Sequence, residues 1–125
     1  MNAVTHYDPP AFAEAVREGS HISPLTFSNF LEISQQRLAD LAGVHRTTLS
    51  RAPDSEKVQD FLRDCLSVMS LLLEFNGGDI ERAVYWFKAV PLVELGGKTA
   101  EQFVAEGKVE GVRDYLISLS AGATG

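Results

Sequence analysis

Apolar residues recur with helical spacing along most of this chain. The longest such stretch runs from about Ser55 to Phe75, after a break at Pro53. The apolar positions that trace one face of this predicted helix are Val58, Phe61, Leu62, Cys65, Met69, Leu72 and Leu73. Residues 66–75 are apolar nearly all round, so we expect the second half of the chain, or a second copy, to cover this helix end.

Two shorter helices are predicted before this one. Pro9 and Pro10 at the start and Gly19 past the end bracket the first, because proline favours the first turn of a helix and glycine the position after the last. Ser23-Pro24 opens the second. Its expected core residues are Leu25, Phe30 and Leu31.

Helix signals continue after Phe75. Asp79 caps the next helix and Pro91 stops it. The segment 99–102 has the pattern of a capping box, and Gly107 closes the helix that follows. The last amphipathic helix carries Val109, Val112, Tyr115, Leu116 and Leu119. Residues 120–125 are small and expected to be mobile. No alternating strand pattern exceeds a few residues, so the predicted fold class is all-α, with about seven helices.

Residues 34–51 have the pattern of a helix-turn-helix. Ser34 is a good N-cap, and Ile33 and Leu38 are spaced to form a hydrophobic staple around it. Gly43 falls where the chain must turn sharply with a positive φ, which glycine accepts without strain. The positions expected to pack the two helices together are Leu38, Ala39, Ala42, Val44 and Leu49.

The second helix of this motif, from about His45 to Arg51, carries short polar and cationic side chains. The predicted DNA-binding residues are Arg46, Thr47, Thr48, Ser50 and Arg51. Side chains of this kind contact phosphates and base edges in a major groove. Tri-helical folds use the same spacing simply to pack, so packing alone remains the other interpretation.

Size and charge limit the function classes. A chain of 125 residues forms one domain, or two small subdomains that share a core. The net charge of −6 argues against strong nonspecific DNA binding, but residues 34–51 hold Arg37, Arg46 and Arg51 against a single Asp40. One cysteine, Cys65, excludes an intramolecular disulfide. We expect a cytoplasmic protein, since neither a signal peptide nor a membrane span is predicted.

No constellation of residues predicts an enzyme, a metal site or a cofactor. His6, His21 and His45 have no partner at metal-ligand spacing. Asp60 and Asp64 are one helical turn apart beside Lys57 and Arg63, which is typical of a solvated helix face. The Gly-Gly-Lys-Thr at 96–99 lacks the earlier glycine of a phosphate-binding loop, because Leu92 stands there, so we expect a turn capped by Thr99.

Trp86 is equally consistent with a partner contact and with local core packing, and its neighbour Tyr85 points in another direction. Together with residues that follow it, Trp86 forms an ordered set. This set is Trp86, Pro91, Leu95-Gly96-Gly97-Lys98-Thr99, Gly107, Val112 and Leu116. In this order, after a helix-turn-helix, it resembles the C-terminal toxin-binding domain of the Xre/MbcA/ParS family of antitoxins. Ala100 departs from the pattern, because a proline is common there.

The resemblance implies a partner and a role. Antitoxins of this family bind a RES-domain toxin that uses NAD, form homodimers, and place their C-terminal end at the mouth of the toxin's NAD pocket. Those with a working helix-turn-helix repress their own operon. On this basis residues 1–67 are a helical domain of the Xre type and residues 68–125 the toxin-binding domain. The predicted toxin-binding residues are Trp86, Lys98, Tyr115, Ser118, Ser120 and Gly122. The alternative is a transcriptional regulator whose C-terminal half only dimerises.

Overall fold

The all-α prediction is confirmed by a computed structural model, which describes residues 5–124, with side chains through Gly122. The helices are α1 (Pro9–Ala15), α2 (Pro24–Leu31), α3 (Gln35–Ala42), α4 (Arg46–Arg51), α5 (Glu56–Phe75), α6 (Ile80–Ala89), α7 (Ala100–Ala105) and α8 (Val109–Thr124). A 3-10 turn, Val93–Leu95, lies between α6 and α7. Two short antiparallel strands, β1 (Arg17–Glu18) and β2 (His21–Ile22), pair with Arg17 opposite Ile22.

Capping side chains begin several of the helices where the sequence predicts. Ser34 Oγ accepts from the backbone N–H of Arg37, and Asp79 Oδ1 from that of Arg82. The capping box is complete, because the side chains of Thr99 and Gln102 each accept from the other's backbone N–H. These contacts satisfy amide groups that the first turn of a helix leaves without partners.

The long helix α5 is the centre of the fold. It packs against six other helices and against β2. The core cluster holds residues from both halves of the chain, from Phe12 and Phe27 to Val112 and Leu116. The predicted domain boundary at 67/68 therefore falls within α5, and the division into domains stays a prediction. Cover for the apolar end of α5 comes largely from within the chain, since α1, α6 and α8 all pack against this helix.

A buried glutamine attaches the β-hairpin to α5. Gln59 Oε1 accepts from the N–H of Ile22 at 2.8 Å, and Gln59 Nε2 donates to the carbonyl oxygens of Ile22 and Pro53, both at 2.8 Å. Without Gln59, the N–H and C=O of Ile22 would lack these partners on the side of β2 that faces α5. The side chain of one α5 residue thus replaces a neighbouring strand.

The N-terminal segment is held against the α5–α6 turn. The carbonyl of Thr5 accepts from the N–H of Ile80, and the N–H of Tyr7 donates to the carbonyl of Gly78. A Cβ at Gly78 would lie 3.0 Å from the oxygen of Tyr7, so glycine permits this close approach. Tyr7 then packs edge-on against Phe12 and Phe30.

Three predictions about individual residues are wrong. Leu25 is 52% exposed, and Phe27 fills the core position expected of it, since the apolar face of α2 begins two residues later. Gly19 does not end α1; it forms the hairpin turn between β1 and β2, with φ of 63°. Leu119, expected in the core, is 43% exposed.

The C-terminal segment is helical, because α8 continues to Thr124, and Gly125 lies outside the described residues. The mobility expected of residues 120–125 stays a prediction. Serine and alanine are compatible with helix, so these residues extend a helix that the core has already nucleated.

No helix among residues 5–124 combines the length and the apolar character of a membrane span.

Candidate DNA and protein interfaces

Helices α3 and α4 form a helix-turn-helix. Gly43 adopts the left-handed conformation, with φ of 73°, directly after α3. The N–H of Val44 returns to the carbonyl of Ala39 at 3.0 Å, which closes the turn. Leu38 and Leu49 are buried between the helices and the core. The turn therefore fixes the angle at which α4 leaves the body of the protein.

The outward face of α4 carries the residues predicted to bind DNA. Arg46, Thr47, Ser50 and Arg51 are exposed and Thr48 is half-buried. Ser50 Oγ donates to the carbonyl of Thr47 at 3.1 Å, so its oxygen remains an acceptor toward solvent. Neither Arg46 nor Arg51 forms an ion pair within the described part of the chain. Both guanidinium groups are thus available for phosphates or guanine.

The third arginine of the motif has a different role. Arg37 donates to Glu101 Oε1 on α7 at 2.9 Å and so links the helix-turn-helix to the C-terminal half. Glu101 is only 4% exposed, and its other oxygen, Oε2, has no partner within the described residues. Removal of Arg37 would leave a buried carboxylate unpaired, which is strongly destabilising. Arg37 therefore contributes to folding rather than to a DNA-binding face.

Lys57 adds a cation beside the turn. Its Nζ lies 3.6 Å from the position that a Cβ on Gly43 would occupy. Lys57 belongs to α5, so the local motif gave no sign of it. The cations near the turn and α4 are therefore Arg46, Arg51 and Lys57.

The Gly-Gly-Lys-Thr segment forms a closed turn between α6 and α7, as the sequence predicts. The N–H of Leu92 donates to the carbonyl of Lys98, and the N–H of Gly97 to the carbonyl of Leu92, both at 2.9 Å. Gly96 and Gly97 have φ of 93° and 85°. The backbone amide groups of Leu92 and Gly97 are thus used to close the turn, and Thr99 caps α7.

The residues predicted to bind the toxin do not form one patch. Lys98 forms an ion pair with Glu106, close to the start of α8, whereas Gly122 lies near its end. Those two ends are about 20 Å apart along the helix, given its rise per residue. Ser118 and Gly122 are exposed, Ser120 and Tyr115 are half-buried, and Trp86 is half-buried against the core. Tyr85 points away from Trp86 and is 65% exposed.

Lys98 holds the carboxylate of Glu106 in its charged form. The hydrogen bond from Lys98 lowers the pKa of Glu106, with a further contribution from the Lys98 and Lys108 charges. Lys108 Nζ lies 3.5 Å from Glu106 Oε1. Lys98 is therefore already paired in the free protein, and a partner would have to compete with Glu106 for it.

Exposed apolar residues accompany the polar end of α8. Arg113 on α8 donates to the carbonyl of Ser67 on α5, 46 residues earlier. Glu110 is likewise 46 residues after Asp64, whose pKa is raised by burial, by Asp60 and then by the charge of Glu110. Helices α8 and α5 therefore run parallel, and this offset places Ile117 level with Leu71. Ile117 is 48% exposed, and Phe75 and Leu119 are also exposed at this end. The sequence pattern assigned Phe75 and Leu119 to covered surfaces, so this exposed apolar surface was missed.

The remaining candidates for chemistry are isolated. Within the part of the chain that the structure describes, no group of histidine, cysteine and carboxylate residues could hold a metal ion. Cys65 is buried, and burial raises the pKa of its thiol. Asp60 pairs with Arg63 on an exposed helix face, as expected.

Comparison with known proteins finds no family model that matches this chain and no significant match among curated proteins.

Proposed function

We propose that this protein is the antitoxin of a type II toxin–antitoxin system, and that it neutralises a RES-domain, NAD-using toxin by covering the toxin's active site. The observation that carries the proposal is the placement of the residues that resemble the antitoxin family. They all belong to one continuous unit, from α6 to α8, that is built against α5.

Several of the residues that carry the resemblance have a structural task in this unit. Pro91 follows the end of α6, and Gly96 and Gly97 supply the positive φ of the turn. Gly107, with φ of 79°, follows the end of α7. Val112 and Leu116 are buried and attach α8 to the core. These residues therefore shape the unit of α6, α7 and α8 that we propose to bind the toxin.

The end of α8 is the part proposed to enter the toxin. Ser118 and Gly122 are exposed and have small side chains, and Ser120 lies half-buried between them. These positions carry no large side chain, which is why we propose that this helix end enters the toxin's cleft. Ile117 and Leu119 supply apolar area for the rim of such an interface.

The helix-turn-helix gives the same protein a second role, repression of its own operon. Recognition helices of this kind act in pairs, because a dimer places them in half-sites about one turn of DNA apart. We accordingly propose a homodimer that binds operator DNA through the outward face of α4, including Thr47, Thr48 and Ser50.

Replacement of both Arg46 and Arg51 by alanine should weaken binding to the protein's own promoter DNA. If both arginines contact phosphates, their loss makes the fall of log binding constant with log salt concentration shallower by about two. If one contacts a guanine, its loss weakens binding by about tenfold or more. Both side chains are exposed, so the fold should persist. Fluorescence anisotropy over a series of salt concentrations measures both effects.

Arg17→Ala is the matched control, because Arg17 is an exposed arginine on β1, outside the helix-turn-helix. It should bind promoter DNA within about twofold of wild type, as expected for a surface substitution. If the double variant binds with the wild-type salt slope, the assignment of α4 as recognition helix is wrong.

The alternative function is a transcriptional regulator whose C-terminal half only dimerises. In that case the exposed residues Phe75, Ile117 and Leu119 would serve self-association rather than toxin binding. Co-expression with the RES-domain toxin distinguishes the two functions: an antitoxin restores growth, and a regulator that only dimerises does not.

A further inference from the structure

A groove of about 380 Å³ lies between α2 and α6, away from the helix-turn-helix and from α8. Its floor is apolar and includes the buried residues Ile80 and Val84 and the half-buried Phe30. From Glu81 to Ala89 the α6 wall is about 12 Å long, given the helical rise per residue. The groove therefore has room for a short peptide segment with one or two large side chains.

The rim of the groove is acidic. Glu32 and Glu81 line opposite walls, both are exposed, and neither forms an ion pair within residues 5–124. Lys88 also lines the groove, and its Nζ donates to the carbonyls of Leu31 and Glu32, at 2.8 Å and 3.3 Å, so it caps the end of α2. The lining therefore holds two carboxylates and one ammonium group, and the carboxylates are in excess by one charge.

Two further residues point to a role for this groove. Tyr85, on the α6 rim, leaves most of its ring in water, and tyrosine is enriched at binding hot spots. Glu32 adopts a left-handed φ of 58°, the only described non-glycine residue with a positive φ. Glycine fits this position with less strain, so a glutamate here has a conformational cost.

We infer that this groove binds a basic peptide segment of another protein, with an apolar side chain on the floor and flanking arginine or lysine side chains at Glu32 and Glu81. The apolar floor supplies the contact area, and the acidic rim selects positive charge. The inference does not depend on the proposed antitoxin function, because the groove contains none of the residues assigned to DNA binding or to toxin binding.

The test uses the full-length, isotope-labelled protein and three synthetic peptides observed by NMR. Acetyl-Gly-Arg-Leu-Arg-Gly-amide should shift the amide signals of Asn29, Glu81 and Tyr85 at millimolar concentration or below. Acetyl-Gly-Ser-Leu-Ser-Gly-amide should bind about fivefold to tenfold more weakly, because each exposed ion pair contributes less than one tenfold step. Acetyl-Gly-Glu-Leu-Glu-Gly-amide should cause no shift in the groove.

Variants separate charge from fold. Glu32→Gln combined with Glu81→Gln should bring the arginine peptide to the affinity of the serine peptide, and Tyr85→Ala should weaken both. Glu14→Gln, at an exposed glutamate on α1, is the matched control and should change neither affinity. Equal binding of the acidic peptide, or peptide shifts that lie outside the groove, would overturn the inference. Groove signals that shift with protein concentration alone would overturn it as well, since a second copy would then be the occupant.

Discussion

The proposed function predicts that a chain that ends at Leu116 folds and binds promoter DNA but no longer neutralises the toxin. The deletion leaves Val112 and Leu116, which hold α8 on the core, and removes the exposed end of the helix. The toxin's NAD consumption in the presence of this variant should equal that of the toxin alone. Undiminished inhibition by the shortened chain would mean that the end of α8 does not cover the active site.

A substitution in the full-length protein makes the same point without removing residues. A Cβ added at Gly122 meets no other atom within 4 Å, so Gly122→Trp is compatible with the free fold. In a narrow cleft the indole should clash, and overpacking of about 1–3 kcal/mol weakens inhibition by about 5-fold to 150-fold. Titration of the toxin with the variant, followed by NAD consumption, measures this loss.

The matched control is Gly111→Trp. Gly111 is exposed on the same helix and equally free of contacts, and it lies about 16 Å from Gly122 along α8. Gly111→Trp should inhibit the toxin as wild type does. Equal losses in the two variants would indicate a general effect on α8 and count against insertion of its end.

Gln59→Leu will destabilise the protein much more than the same change at an exposed glutamine. Leucine preserves the volume but leaves the N–H and C=O of Ile22 and the C=O of Pro53 without the partners that Gln59 provides. Each unsatisfied buried group costs about 1–3 kcal/mol, so the free energy of unfolding should fall by about 3 kcal/mol. For a chain of this length that corresponds to a Tm lower by about 10 °C, measured by thermal unfolding.

Gln36→Leu is the control for this change, because Gln36 is exposed and its side chain donates only to Asp40, one turn away on α3. Exposed pairs of this spacing contribute less than about 0.5 kcal/mol. If Gln59→Leu unfolds at the same temperature as Gln36→Leu, solvent or a rearranged backbone must satisfy the groups that Gln59 now serves.

Features that depend on neighbouring residues could be predicted from the sequence. Ser34, Asp79 and Thr99 each cap a helix through an amide three residues away, and Gly43 adopts the positive φ that its turn requires. The apolar face of α5 was visible because helical periodicity extends over many turns. In all these cases the interacting groups are close in sequence, so a local pattern carries the information.

Features that depend on distant residues could not be predicted. Gln59 reaches a strand 37 residues earlier, and Arg37 reaches Glu101, 64 residues later. A polar residue at a helical position shows nothing about such a partner, and a two-residue strand is too short for an alternating pattern. The exposure of Leu25 has the same cause, since periodicity within one turn does not show which side of α2 meets α5.

For the candidate sites the same distinction holds. The exposed face of α4 followed from spacing within the motif, but Lys57 comes to the turn from α5. Most of the six residues assigned to the toxin interface followed from the resemblance, and Trp86 was a candidate for a partner contact by its residue type as well. Lys98 pairs with Glu106 close to the start of α8, whereas Gly122 lies near the end of this helix. The deletion and the tryptophan variant therefore test only the residues near the end of α8, which are Ser118, Ser120 and Gly122.

The most direct test of the central claim is the NAD consumption of the purified RES-domain toxin, measured as the full-length protein is added. The proposed function predicts that consumption stops near an equimolar ratio and that the two proteins elute together in size-exclusion chromatography. Unchanged NAD consumption in the presence of excess protein, with the two proteins eluting separately, would contradict it.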